Sequence, residues 1–401
     1  MKYVVILGDG MAGYPLPDRD HKTCMQLART PFWDALAKKS VVGLMRTVPT
    51  GFAPGSDVAN LSVLGYDPVR SYTGRSPLEA ASIGIPLRDT DVTLRCNLVT
   101  LSEDEPFAAK TMLDYSAGEI STAEAKELIE ALKAQFDRPP FRLYAGISYR
   151  HCLVEDGGRT GRTLTPPHDI TGKPIAPYLP AGEGSAPLLA MMERSCAILK
   201  DHPVNQRRRA AGKHPANAVW FWGEGTKPAL TPFETLYHKK GGVISAVDLV
   251  KGIGVLTGLT VIPVEGATGN WDTNFAGKAA ACADALLSGL DLVYVHMEAP
   301  DECGHHGDTE KKIYSIEQVN GVAEVVFTRL KAAGEPFAML ICPDHPTPIA
   351  LKTHTADPVP FLLYRSDEER SNGAQSYDEE QAAKTGLSVP RACEMMAAFL
   401  R

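Results

Sequence analysis

The sequence predicts an α/β protein: a parallel-rich sheet with helices on both faces, interrupted by a smaller inserted α+β domain. Three observations predict it. Short, continuous apolar runs with β-branched residues open the chain and recur late, which marks strands buried on both faces. A long stripe of apolar residues at three- and four-residue steps separates two of those runs, giving strand, helix, strand. The middle of the chain reads differently, with helical stretches, shorter strand candidates and Pro/Gly-rich loops.

Tyr3–Leu7 is the first buried strand. From about residue 90 to 215 the reading changes. Thr122–Phe136 and Pro187–Asp201 carry helical patterns, whereas Gly157–Gly172 has no hydrophobic period and reads as a long functional or flexible loop. Val243–Gly252 and the residues beyond it look helical and precede the apolar stretch Leu259–Val264. Leu292–Met297, Ala338–Cys342 and Val359–Tyr364 are further strands of the buried, parallel kind. Between the first two of these lie Ile313, Ile316, Val319, Val322, Val326 and Leu330, one face of a helix that Gly334 stops. The first strand is N-terminal and its sheet partners come after 215. The expectation is therefore a core of residues 1–89 and 216–401 holding an insert of 90–215. At ~150 residues per domain, a 401-residue chain has room for two or three domains.

Composition removes several functions. Forty-one Lys and Arg against 48 Asp and Glu leave a net charge of −7, so no basic excess serves nucleic acid or an anionic membrane. A few local cations still suffice for a small anionic substrate. Eight cysteines without a C-x-x-C pair read as reduced thiols of a cytoplasmic protein. The apolar run after Met1-Lys2 is too short for a signal-peptide core, and no run reaches the ~18 residues of a membrane span. No P-loop, no complete G-x-G-x-x-G after a strand and no G-x-S-x-G is present. Nothing in the sequence sets the oligomeric state.

Acids and histidines carry the chemistry. Asp9, Asp301 and Asp344 each follow a strand, and open parallel sheets bind ligands at the carboxyl ends of their strands. One such acid is ordinarily a helix cap or turn residue; three with histidines beside them point to metal. Five of the eleven histidines fall between 296 and 354: His305 in Asp301-x-x-x-His305, His345 in Asp344-His345, His354 in Thr353-His354-Thr355, together with His296 and His306. Carboxylate and imidazole suit zinc or manganese, and six or seven such groups suit two ions. His306 is an alternative to its neighbour His305, and His296, inside a strand, reads as structural. Pro54-Gly55-Ser56-Asp57 precedes an apolar helical run. Ser56 is then either a helix cap or a nucleophile presented at a helix N-terminus, where backbone N–H groups favour a phosphoryl group. The insert concentrates cations: Arg150-His151, Arg159, Arg162 and the run Arg207-Arg208-Arg209; Lys278 lies beyond it. Such a run is either a solvated helix face or a phosphate and carboxylate clamp.

In order, Asp9-Gly10-Met11, Gly55-Ser56-Asp57-Val58, Leu64-Gly65-Tyr66-Asp67-Pro68, Asp301-x-x-Gly304-His305, Asp344-His345 and Thr353-His354-Thr355 resemble cofactor-independent phosphoglycerate mutase. The closer match is its archaeal-type branch, in the alkaline phosphatase superfamily. The resemblance covers nearly the whole chain, most strongly residues 1–85 and 265–360. It implies an alkaline-phosphatase-like core and two divalent ions, manganese or zinc, with magnesium also admitted. By matching motifs, Asp9, Ser56, Asp344 and His345 hold one ion and Asp301, His305 and His354 the other. Ser56 becomes phosphoserine, and 3-phosphoglycerate and 2-phosphoglycerate, small phosphorylated substrates of glycolysis and gluconeogenesis, are interconverted without bisphosphoglycerate. The insert would close over the site, with Arg150, His151, Arg208 and Lys278 as substrate clamp and His151 as proton shuttle. One segment departs from the pattern: Gly74-Arg75-Ser76-Pro77-Leu78-Glu79-Ala80-Ala81-Ser82 resembles a bacterial subgroup for which a homoserine kinase role is proposed. That alternative, and a phosphatase of the same superfamily, would use the same metal core.

Overall fold

The computed structural model describes residues 1–401. Its strands, in chain order, are β1 (Lys2–Gly8), β2 (Val41–Met45), β3 (Val92–Leu101), β4 (Met112–Asp114), β5 (Phe141–Ile147), β6 (Arg150–Glu155), β7 (Ala218–Thr226), β8 (Gly241–Ile244), β9 (Thr260–Val261), β10 (Leu292–Met297), β11 (Phe337–Cys342), β12 (Val359–Arg365) and β13 (Ser388–Val389). The chain divides into two compact units, residues 1–72 with 229–401 and residues 73–228.

The larger unit is built on an eight-stranded sheet in the order β13-β2-β12-β11-β1-β10-β8-β9. β11, β1, β10 and β8 run parallel, and β1 is central because Val4, Val5, Ile6 and Leu7 are fully buried. A strand covered on both faces cannot alternate polar and apolar residues, which is why these segments read as unbroken apolar runs. The helix Thr309–Ala332 links β10 to β11 and buries Ile316, Val319, Val322, Val326 and Leu330. Asp308 caps it by accepting from the Lys311 amide, and Gly334 follows at φ +72°.

The smaller unit is a five-stranded antiparallel sheet. Helices Thr122–Phe136 and Ala186–Leu199 pack on it through Leu128, Ile129, Leu132, Leu188, Met192 and Leu199. Arg162, in the Gly-rich loop, is held on this sheet. It pairs with Glu155, while the Gly161 and Arg162 amides donate to Glu224. Within that loop only Pro167–Ile170 is regular, a short 3₁₀ turn.

Some expectations change. The smaller unit takes in residues 73–89 and 216–228, which the sequence reading assigned to the core. The helix Ser76–Ser82 buries Ala80 beside Cys152 and Val154 of β6, and Gly74 closes on the backbone of Glu224 and Gly225. β12 is antiparallel to both its neighbours, because the chain between β11 and β12, residues 343–358, returns with no crossover helix. Val243 and Ile244 lie in β8, and the helix begins only at Asp248. Of Leu259–Val264 only Thr260 and Val261 pair as a strand. All eight cysteines are free thiols, and no helix is long and apolar enough to cross a membrane.

Candidate active site and metal centre

Topology places the acids. β11, β1 and β10 are adjacent and parallel, so the residues just past their ends share one edge of the sheet. Asp9 follows β1, Asp344 follows β11, and Asp301 stands in the helix Ala299–His306 that follows β10. Asp301 and His305, four apart on that helix, share a face. Because β12 runs antiparallel to β11, it starts at the same edge, and this brings in His354 from the loop before it. Ser56 is the first residue of the helix Ser56–Val63, whose cap is Gly55. The serine is therefore presented at the N-terminus, and the cap, a glycine, has no side chain to bond the first turn.

Two groups of side chains result. In the first, Ser56 Oγ lies 3.1 Å from His345 Nε2 and 3.4 Å from Asp9 Oδ2. His345 Nε2 is 3.5 Å from Asp9 Oδ1 and 3.4 Å from Asp344 Oδ2. In the second, Asp301 Oδ2 is 3.2 Å from His305 Nε2, Asp301 Oδ1 is 3.4 Å from His354 Nε2, and the two imidazole nitrogens are 2.9 Å apart. The His345 and His354 rings, 4.0 Å between centroids, join the two groups. His305, not His306, is the histidine that belongs to this cluster.

The electrostatics are those of an acidic site made for cations. Burial, then the neighbouring Asp344 and Asp301 carboxylates, pushes the Asp9 carboxyl well above its ordinary range. Burial also acts to raise Asp301, but hydrogen bonds with His305 and His354 outweigh it and hold that carboxyl well below its ordinary value. The Asp301 bond raises the His305 imidazole to about 9. Asp9 Oδ1 is buried without a hydrogen-bond partner. A lone pair left open among three buried carboxylates fits a divalent cation, and oxygen with imidazole nitrogen suits manganese or zinc. The donors form overlapping sets, Asp301–His305–His354, Asp9–Asp301–His345 and Asp9–His296–Asp344.

Other residues hold this edge, and of these the sequence reading named only Gly10, within its first motif, and His296. Gly10 has φ +61°, and a Cβ there would come within 2.5 Å of Asp301 Oδ1 and Thr347 Oγ1. Thr347 donates to Asp301. Lys312 is fully buried and donates to three carbonyls, Gly10 at 2.7 Å, Ala12 at 3.3 Å and Thr347 at 2.6 Å. It ties the loop carrying Asp9 to the loop carrying Asp344 and His345. The only sequence signal for it was a lysine beside the apolar stripe Ile313–Leu330. His296, read as structural, bonds Asp9 directly at 2.9 Å.

The clamp candidates separate. Lys278 belongs to the larger unit, is fully buried, and donates to the His296 carbonyl at 3.2 Å; burial lowers it to about 8. The other three belong to the smaller unit. Arg150 is exposed, has no carboxylate partner, and lies 5.0 Å over the Tyr149 ring. His151 is 5% exposed; its Nδ1 accepts from the Gly146 amide, and burial, then Arg150, lowers it to about 3. Arg208 is 2% exposed and donates to Glu124, Ala117 O and His214 O, which ties three segments of its own unit together. In the same unit Arg95 stacks on Trp222 at 4.0 Å and pairs with Glu79, which also binds Arg75.

Known proteins are similar to this chain throughout its length. Residues 37–205 match the family model described as 2,3-bisphosphoglycerate-independent phosphoglycerate mutase. A protein of that name from Methanosarcina barkeri is 48% identical over 403 residues, covering 100% of both chains. One from Geobacter sulfurreducens, named as a probable member, is 49% identical over 401 residues with the same coverage. Among solved structures, a Pyrococcus horikoshii protein superposes with a TM-score of 0.82 at 28% identity, covering 100% of this chain and 97% of its own. The cofactor-independent phosphoglycerate mutase of Thermoplasma acidophilum gives 0.66 at 25% identity, covering 100% and 99%. With identity near one half running end to end, and with every acid, histidine and serine of the motifs present, this chain belongs to the family of 2,3-bisphosphoglycerate-independent phosphoglycerate mutases.

Proposed function

We propose that the protein interconverts 3-phosphoglycerate and 2-phosphoglycerate, needing neither bisphosphoglycerate nor nucleotide, through a phosphoserine at Ser56. The observation that carries this reading is the placement of Ser56 Oγ at a helix N-terminus, 3.1 Å from His345 and 3.4 Å from Asp9, in a full-length member of the family. Asp9, Ser56, Asp344 and His345 are assigned to one divalent cation and Asp301, His305 and His354 to a second; bound there, the pair would neutralise phosphoryl oxygens and steady the attacking and leaving oxygens.

The chain's own residues do the rest. Ser56 Oγ forms a bond to phosphorus while the ester bond to the glycerate oxygen breaks; the serine loses its proton and the glycerate oxygen gains one. The other glycerate hydroxyl then attacks the phosphoserine, and Ser56 Oγ leaves and recovers a proton. The Ser56 and Asp57 amides at the start of the helix Ser56–Val63 would face the phosphoryl group, where the helix dipole favours negative charge, while the Val58 amide donates to Asp57 Oδ1. By resemblance alone, Arg150, an exposed arginine, is assigned to the substrate's anionic end. Arg208 is left out of the clamp because its donors already serve the packing of its own unit.

A coupled assay tests the reading. The manganese-loaded protein is expected to convert 3-phosphoglycerate without added nucleotide, at roughly the 10 s⁻¹ median of enzymes. Turnover that requires a nucleoside triphosphate and homoserine would move the function to the kinase alternative.

A further inference from the structure

We propose that Tyr294 and His296 are positioning residues for phosphoryl transfer, Tyr294 acting through Asn60 on Asp344 and the Ser56 helix, and His296 acting on Asp9. The inference rests on the reading of Ser56 as nucleophile and of Asp9 and Asp344 as ligands. The two residues stand two apart on β10, so their side chains share one face of the sheet. Both are fully buried in the larger unit.

The first arm has only one consistent set of proton positions. Asn60 Nδ2 lies 2.9 Å from Asp344 Oδ2 and 2.8 Å from the Ser56 carbonyl. Both partners only accept, so the amide nitrogen faces them and uses both of its hydrogens. Asn60 Oδ1 therefore faces Tyr294, and the phenol must donate to it, at 2.6 Å. Reversing the amide would set its oxygen against a carboxylate and a carbonyl. The Tyr294 hydroxyl thus selects the one orientation of Asn60 that ties the first turn of the serine helix to Asp344.

The second arm is built the same way. As an ionised ligand Asp9 only accepts, so its Oδ2, 2.9 Å from His296 Nε2, takes the imidazole hydrogen from Nε2. Nδ1 then accepts from the Ser245 hydroxyl at 3.2 Å, and Ser245 Oγ in turn accepts from the Val247 amide at 3.0 Å. With Oδ2 engaged, Asp9 is left with Oδ1 open, the buried oxygen that lacks a partner. Groups that fix ligands in this manner typically change metal affinity or activity by about 10–100-fold when removed.

The test compares Tyr294→Phe, Asn60→Ala, Ser245→Ala and Ser56→Ala in the full-length enzyme. It reads kcat and KM, manganese affinity by calorimetry, and the Tm of the metal-free protein. Tyr294→Phe is expected to lower kcat or manganese affinity roughly 10–100-fold, with KM nearly unchanged. Adding Tyr294→Phe to Asn60→Ala should cost nothing more, because both lie on one arm, whereas adding it to Ser245→Ala should multiply the losses. Wild-type kcat and manganese affinity in Tyr294→Phe, beside an inactive Ser56→Ala, would overturn the proposal and leave the nucleophile intact. So would a lowered Tm with unchanged kcat, which is the result of a merely structural role. Turnover by Ser56→Ala would instead overturn the reading on which the proposal stands. Should Tyr294→Phe fail to fold, Ser245→Ala decides alone on the same readouts.

Discussion

Gly10 shows how narrowly single residues are specified around the site. Its left-handed backbone and its approach to Asp301 each exclude a side chain. Gly10→Ala is expected to destabilise the protein by at least ~1 kcal/mol and to weaken manganese binding by displacing Asp301; unchanged calorimetric affinity would contradict this. Lys312→Met keeps the stem but leaves the Gly10 and Thr347 carbonyls without their donor, while the Ala12 carbonyl keeps the Thr347 amide. Each buried group left unpaired costs ~1–3 kcal/mol, so denaturant titration should show a large loss. His151 supplies a pH dependence. Its folded pKa, about 3, lies below the unfolded value of ~6.5, so unfolding takes up a proton between the two. Stability is then lost as pH falls from ~6.5 towards the folded value, by up to ~1.4 kcal/mol per pH unit. His151→Phe should flatten that slope in the unfolding of the smaller unit, and an unchanged slope would show that the imidazole is not buried neutral. Ligand candidates were legible because carboxylates and imidazoles advertise their chemistry wherever they stand. Asn60, Tyr294 and Lys312 were not, because an amide, a phenol or a lysine in an apolar stretch acquires its role only from what lies across the fold.

Elements followed their period where burial was simple. β1, β10 and β11 are covered on both faces, and the stripe from Ile313 to Leu330 gave a helix ending where Gly334 stops it. Period failed where a short strand abuts a helix: Gly241–Ile244 is continuous with apolar helix residues, and only its pairing with β10 separates them. Strand direction was also hidden, since β12 reads as an apolar run like the parallel strands β1, β10 and β11 yet runs the other way. That reversal starts β12 at the edge that carries the acids, which brings His354 within 3.4 Å of Asp301. The helix Thr309–Ala332 carries Lys312 in its first turn, and Asp308 caps it. Asp308→Ala should cost ~1 kcal/mol of stability by thermal unfolding; no change would mean that the cap contributes nothing there.

On the scale of the whole molecule, the existence of an insert was readable from the N-terminal strand and its late partners. Its limits were not, because residues 73–89 and 216–228 contain nothing that distinguishes a short helix or strand of one sheet from that of another. Only packing assigns the helix Ser76–Ser82 to the sheet of β3 and β6. The proposed cations would sit among the buried, mutually repelling carboxylates of the larger unit, so its stability is expected to depend on them. A cation present at 100 times its Kd should stabilise it by ~2.7 kcal/mol; chelation should abolish turnover and lower Tm, and added manganese should restore both. A Tm indifferent to chelation would contradict the metal assignment. The most direct test of the central claim is peptide mass spectrometry of the manganese-loaded protein quenched during turnover of 3-phosphoglycerate. The account predicts one phosphoryl group on Ser56 and none in Ser56→Ala, which should also be inactive. Turnover with no phosphate on Ser56, or turnover by Ser56→Ala, would contradict it.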